Sequence, residues 1–137
     1  MGLLDRLLDL VKKRESPGLT ADAPGLKIVA EAFDPAVADS AVLAASPAWI
    51  STAPAVLRHH LLLPPDRLAE AASILAQDGY DLREQGGSGD LVRVHAVRVQ
   101  VLDALHCAQE RSRMAGLAQR LGGDASGWDA LQPEPTA

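Results

Sequence analysis

Leu91 to Leu102 reads LVRVHAVRVQVL, a β-type run in which the apolar period of two changes phase. Val92, Val94 and Ala96 are apolar at even positions. Val97, Val99 and Val101 are apolar at odd positions. A regular strand sends the two sets to opposite faces of its sheet. Two solutions exist. Either a β-bulge or bend near His95 to Val97 returns all the valines to one face, or the sheet is covered on both faces. Val56 to Leu63 (VLRHHLLL) has the same two-sided character, and residues 27–54 are the available cover for a second face. Any fold for this chain is therefore built around a sheet.

A helix follows the run directly. Asp103 is a good N-cap residue before Ala104 and Leu105, and Gly122-Gly123 stops the helix after Leu121. At 100° per residue, Ala104, Cys107, Ala108, Met114, Ala115, Ala118 and Leu121 fall on one side. Gln109, Ser112, Arg113, Gly116, Gln119 and Arg120 fall on the other. Arg111 breaks the pattern by projecting near the middle of the apolar side.

The other elements follow in chain order. In residues 1–15, MGLLDRLLDLVKKRE, Leu3, Leu4, Leu7, Leu8 and Val11 mark one face of a helix that ends in Lys12, Lys13 and Arg14. That helix either packs on its own domain or a dimer mate, giving a homodimer through the N-terminal helix, or docks on a partner or a membrane surface. Residues 1–26 thus form an amphipathic helix and linker, the linker rich in Pro and Gly. Residues 27–54 form an accessory segment: a strand at Lys27 to Ala32, then a helix from Asp34-Pro35 to about Ala45. It covers the main domain, or forms a partner-facing flap. Residues 55–133 form the main domain, and residues 134–137 a tail.

Within the main domain, VLRHHLLL is a strand that stops at Pro64-Pro65. Asp66 caps the helix RLAEAASILAQD, and Gly79 ends it. Tyr80 to Glu84 gives a short strand, and Gln85 to Asp90 (QGGSGD) a flexible turn. After the helix at 103–121, Ser126 to Leu131 adds a last strand. The order strand, helix, strand, strand, helix, strand predicts an α+β, ferredoxin-like split βαβ arrangement, with two helices on one face of an antiparallel sheet, plus an N-terminal helical appendage.

Composition narrows the function. The net charge of -5 argues against a protein that binds nucleic acid directly by neutralising phosphates. No run of 18 apolar residues predicts a membrane span, and no basic-then-apolar start predicts a signal peptide. The expectation is a cytoplasmic protein. With Cys107 as the single cysteine, no intrachain disulfide can form.

His59-His60-Leu61, Pro65-Asp66-Arg67-Leu68, Ala71-Ala72 and Gly79-Tyr80, with Gly127-Trp128 after the last helix, resemble the RraB family, regulators of ribonuclease E activity. In that family a His-His pair ends the first strand, a helix opens with Asp, and Gly-Tyr begins the next strand. The resemblance runs from His59 to Pro133. It implies a non-enzymatic protein that binds an endoribonuclease and modulates RNA turnover, with no cofactor.

The residues themselves leave other chemistries to weigh. His59 and His60, adjacent on a strand, point to opposite faces and cannot both hold one metal. His106 and Glu110, at i and i+4, could share one, joined by His60 or His95, but no CxxC or HExxH spacing accompanies them. A ligand- or metal-sensing module of the same fold is the second reading. An enzyme using His106 or Cys107 is the third, although Cys107 lies on the apolar stripe. Gly86-Gly87-Ser88-Gly89 lacks the Lys-Ser/Thr of a phosphate loop and reads as a turn. The candidate partner-binding residues are Gln109, Arg113, Gly116 and Arg120 on the outward helix face, with Arg111 and Trp128. Arg111 either reaches a carboxylate such as Glu70 or pairs with a partner's acid. Trp128 either lids the core or serves as an exposed hot spot.

Overall fold

A computed structural model describes residues 18–134. The helix expected over residues 1–15, the homodimer it would form and the last three residues of the tail lie outside them. The elements are β1 (Leu26–Ala32), α1 (Asp39–Ala44), β2 (Pro54–Leu63), a 3-10 turn (Pro65–Arg67), α2 (Leu68–Ala76), β3 (Asp81–Ser88), β4 (Leu91–Val101), α3 (Ala104–Arg120) and β5 (Asp124–Pro133). The protein is α+β, with one five-stranded antiparallel sheet in the order β1-β5-β2-β4-β3. From β2 to β5 the elements come in the expected order. The sheet differs from a simple four-stranded split βαβ because β1 adds to the β5 edge.

The helices lie on one face. Along β2 that face reads Ala55, Leu57, His59, Leu61 and Leu63, all buried. Leu61 and Leu63 pack with Ala71 and Leu75 of α2, and with Met114, Leu117 and Ala118 of α3. Ala55 and Leu57 pack with Leu43 of α1, Cys107 of α3, Trp128 and Ala130 of β5, and Ala30 and Ala32 of β1. His59 separates the two apolar clusters on the sheet, as Glu110 does on α3.

Residues 27–54 do not cover the second face. β1 extends the sheet, and α1 packs on β1 and α3 in the helical layer. Its helix also starts later than expected. The Asp34 carboxylate accepts from Ala36 N at 2.9 Å while its carbonyl accepts from Val37 N, closing a turn instead of capping a helix. A cover for the second face comes instead from the segment before β1. Asp22 there pairs with Arg83 of β3 at 2.7 Å, and Ala21 and Leu26 line a recess with Val56, Val97 and Leu131.

The bulge expected at His95 to Val97 does not occur. β4 pairs with β2 without a break, from Pro54 opposite Val101 to Leu63 opposite Val92. The extra residues sit on other strands: Val29 on β1, Gln85 on β3 and Ser126 on β5. The glycine stretch of QGGSGD belongs largely to β3, so the turn shrinks to Gly89 and Asp90. With β4 regular, Val94 and Ala96 are buried under the helices. Val97 is buried on the opposite, open face, where Val99 and Val101 are exposed.

Gly127 of β5 has φ +138°, a conformation L side chains rarely adopt. A Cβ there would stand 2.1 Å from the Ala32 carbonyl oxygen of β1. Replacing Gly127 by Ala therefore forces β1 and β5 apart and strains the backbone. The expected loss is about 2 kcal/mol or more of folding stability, read as a lowered urea midpoint.

Candidate functional site

The outward face of α3 is the surface that the sequence singles out. Asp103 caps the helix through its carboxylate, which accepts from His106 N at 2.8 Å. The buried side consists of Cys107, Met114, Leu117 and Ala118, which leaves Gln109, Arg113, Gly116 and Arg120 exposed on one stripe. Ala108 and Ala115, expected on the buried side, are exposed as well. Arg113 pairs with Asp78, just after α2. Gln109, Arg113 and His106 rim a hollow of about 250 Å³ whose floor holds Tyr80, Arg98 and Glu110.

Glu110 is the centre of that floor. Arg98 donates to one carboxylate oxygen, and Gln100 Nε2 lies 3.2 Å from both. His59 Nε2 stands 3.7 Å from Oε2, an ion-pair distance. Burial pushes the Glu110 carboxyl up, but contacts from His59, Gln100 and Arg98 outweigh it and hold the acid below its ordinary range. Arg98 also donates to the Asp78 carbonyl at 2.8 Å and stacks 4.2 Å over the Tyr80 ring. Burial, then the charge of Glu110, raises the Tyr80 hydroxyl.

Arg111 and Trp128 belong to a different network, inside the protein. Asp39 Oδ1 accepts from Arg111 Nη1 at 2.9 Å and from Trp128 Nε1 at 3.1 Å. Asp39 is 6% exposed and Trp128 is fully buried. Trp128 is thus a core residue rather than an exposed hot spot. Glu70 pairs with Arg67 instead of Arg111. Asp39 is not among the residues that the sequence singles out. Its signal was available, since an arginine in an apolar helix stripe demands a buried acid nearby.

The open face of the sheet holds a third network. Arg58 donates twice to Asp129, at 2.7 and 2.6 Å, and His60 Nε2 lies 3.2 Å from Asp129 Oδ2. The His60 and His95 rings lie 4.1 Å apart, and Phe33 meets His60 edge-on at 4.9 Å. Burial pushes Asp129 up, yet the bonds from Arg58 and His60 hold it down at about 2. Burial, then the neighbouring His60 and Arg58, lowers His95 to about 4.

His59 and His60 do point to opposite faces. His60 and His95 lie across the sheet from His106 and Glu110, so the four do not converge on a metal. Among the described residues no group of three or more His, Cys, Asp or Glu side chains is placed to share one. Cys107 is fully buried, and burial followed by the charges of Glu110, Asp39 and Asp103 pushes its thiol up to about 12. His106 is exposed and pairs with Asp103. Among the described residues no helix is long and apolar enough to cross a membrane. No protein-family model matches the chain, and no curated protein matches it.

The open-face network makes stability depend on pH in two windows. His95 has a folded value below its unfolded value of about 6.5, so its contribution is present above that pH and is lost as pH falls toward 4. Asp129 contributes fully above about pH 4, and its share, about 2 kcal/mol, is lost as pH falls toward 2. Urea midpoints measured from pH 7 to pH 2 should show both losses. His95→Gln removes the first window, and Asp129→Asn removes the second.

Proposed function

We propose that this chain is a non-enzymatic regulatory protein of the RraB kind, built on a ferredoxin-like split βαβ core, that binds an endoribonuclease and modulates RNA turnover. The observation that carries the binding surface is the exposed α3 stripe of Gln109, Arg113, Gly116 and Arg120. Beneath it, the acids Glu110 and Asp39 are already paired within the chain, which suits a rigid platform better than a reaction centre. The β5-β2-β4-β3 portion of the sheet supports the split βαβ reading. The choice of an endoribonuclease rests on the His-His, Gly-Tyr and Gly-Trp resemblance.

On this platform Arg113 and Arg120 meet carboxylates of the partner, and Gly116 allows close backbone approach. Arg111 and Trp128 act from inside by fixing α3 against α1 and β5. A hollow of about 340 Å³, lined by His59, Arg111, Met114, Ala115 and Gly127 among others, supports the second reading, a small-ligand sensor.

The test is capture of a purified endoribonuclease by the tagged protein. Arg113→Glu with Arg120→Glu should weaken binding tenfold or more, about 1.4 kcal/mol. Asp129→Asn, on the other face of the sheet, should leave it unchanged. Failure of the unaltered protein to capture the nuclease, or equal binding by the double variant, sinks this reading.

A further inference from the structure

Two of the strand irregularities meet at one place. Gln85, the extra residue of β3, and Ser126, the extra residue of β5, border a hollow of about 450 Å³ on the open face of the sheet. β2 and β4 form its floor, where His60 stands opposite His95 and Leu62 opposite Arg93. A bulged residue stands outside the ladder, and such positions recur next to active sites. The hollow is rich in donors. Arg93 is exposed and belongs to none of the ion pairs formed among the described residues. The Ser126 hydroxyl donates to the His60 carbonyl at 3.3 Å, and Gln85 Nε2 donates to the Arg83 carbonyl at 3.4 Å. Both bonds are long, so both groups can turn to a better acceptor. Among the described residues no Asp or Glu lines the hollow.

Charge gathers there with one sign. His95 is held down by burial first, then by His60, Arg58 and Arg93, against the pull of Asp129. Asp129 is itself taken by Arg58, at 2.7 and 2.6 Å. Arg83, opposite His95 on β3, is taken by Asp22 and Asp81. Arg93 remains as the cation without a counter-charge, which repels a metal ion and attracts an anion. We propose that this hollow binds a phosphate dianion, carried by a small organic molecule or free, with Arg93 as its counter-charge and Gln85, Ser126 and His95 as hydrogen-bond donors. Donors from β3, β4 and β5 surround a tetrahedral group, whereas a planar carboxylate is already met by one Arg fork. A single guanidinium suits one phosphate, and a nucleic-acid track needs several. The volume lies in the range of small-molecule sites and leaves room for an organic body beside Leu62 and the His60 ring. The site lies across the sheet from α3, so it leaves the stripe of Arg113 and Arg120 clear.

Isothermal calorimetry on the full chain tests the site, with glycerol phosphate, inorganic phosphate, acetate and a short single-stranded oligonucleotide as probes. Both phosphates should bind at a single site, and acetate should bind roughly tenfold more weakly or worse. Arg93→Gln should weaken phosphate binding roughly tenfold or more, and Gln85→Ala with Ser126→Ala should weaken it several-fold. All three side chains are exposed, so these variants keep the fold. Arg67→Gln, in the turn before α2, removes a cation elsewhere and should change nothing. Tighter binding of the ester than of inorganic phosphate supports a phosphorylated small molecule as the ligand, and equal binding supports the free ion. No binding of either phosphate, undiminished binding by Arg93→Gln, acetate bound as tightly as phosphate, or a response to the oligonucleotide alone would overturn the proposal.

Discussion

A carboxylate placed between two apolar clusters sets the terms for this structure. Glu110 lies where the α2 side of the core meets the α1 side, and its side chain is only 14% exposed. Such a group is tolerated only with donors in place, because an unpaired buried charge costs several kcal/mol. The donors come from the sheet, Arg98 and Gln100 of β4, and His59 of β2 stands 3.7 Å from the carboxylate. These contacts fix how β4 is turned. With Arg98 and Gln100 facing the helices, Val97, Val99 and Val101 must face the open side. The phase change in LVRVHAVRVQVL is therefore the trace of a polar network rather than of a bulge.

The same demand is met at two other acids. Asp39 draws Arg111 and the Trp128 indole together, and Asp129 draws Arg58 and His60. Trp128 and Asp129 are neighbours on β5, as His59 and His60 are on β2. In each pair one side chain serves the helical layer and the other serves the open face. Adjacent residues thus end in separate networks, with the sheet as insulation between them. This arrangement ties α1, α3, β2, β4 and β5 together through directional contacts as well as through apolar burial.

The order of elements from β2 to β5 was legible because each has a local signature: Asp103 as a cap, paired prolines after Leu63, and glycine stops. The outward stripe of α3 was legible for the same reason. The networks were not, because they join residues far apart in the chain. Arg111 and Asp39 are separated by 72 positions, and Arg58 and Asp129 by 71. Periodicity could show that Arg111 was out of place but not which acid answered it. It also assigned Ala108 and Ala115 to the buried side and missed Leu117, since alanine and leucine differ little in pattern and greatly in size. The fifth strand was visible as KIVAEA, but nothing local told which edge of the sheet it would join.

Two of the three extra residues, Val29 and Gln85, lie on the outermost strands of the sheet, where they bear on life in a crowded solution. An open sheet ends in two strands whose outer hydrogen-bonding groups could be continued by any other extended chain. Here β1 and β3 are those strands, and each is interrupted near its middle, by Val29 and by Gln85. Such an interruption bends the strand and throws a would-be partner out of step after a few residues. Charges at Lys27, Glu31, Asp81 and Arg83 reinforce it. The irregularities along its margins let this sheet stay open-ended without inviting the next one.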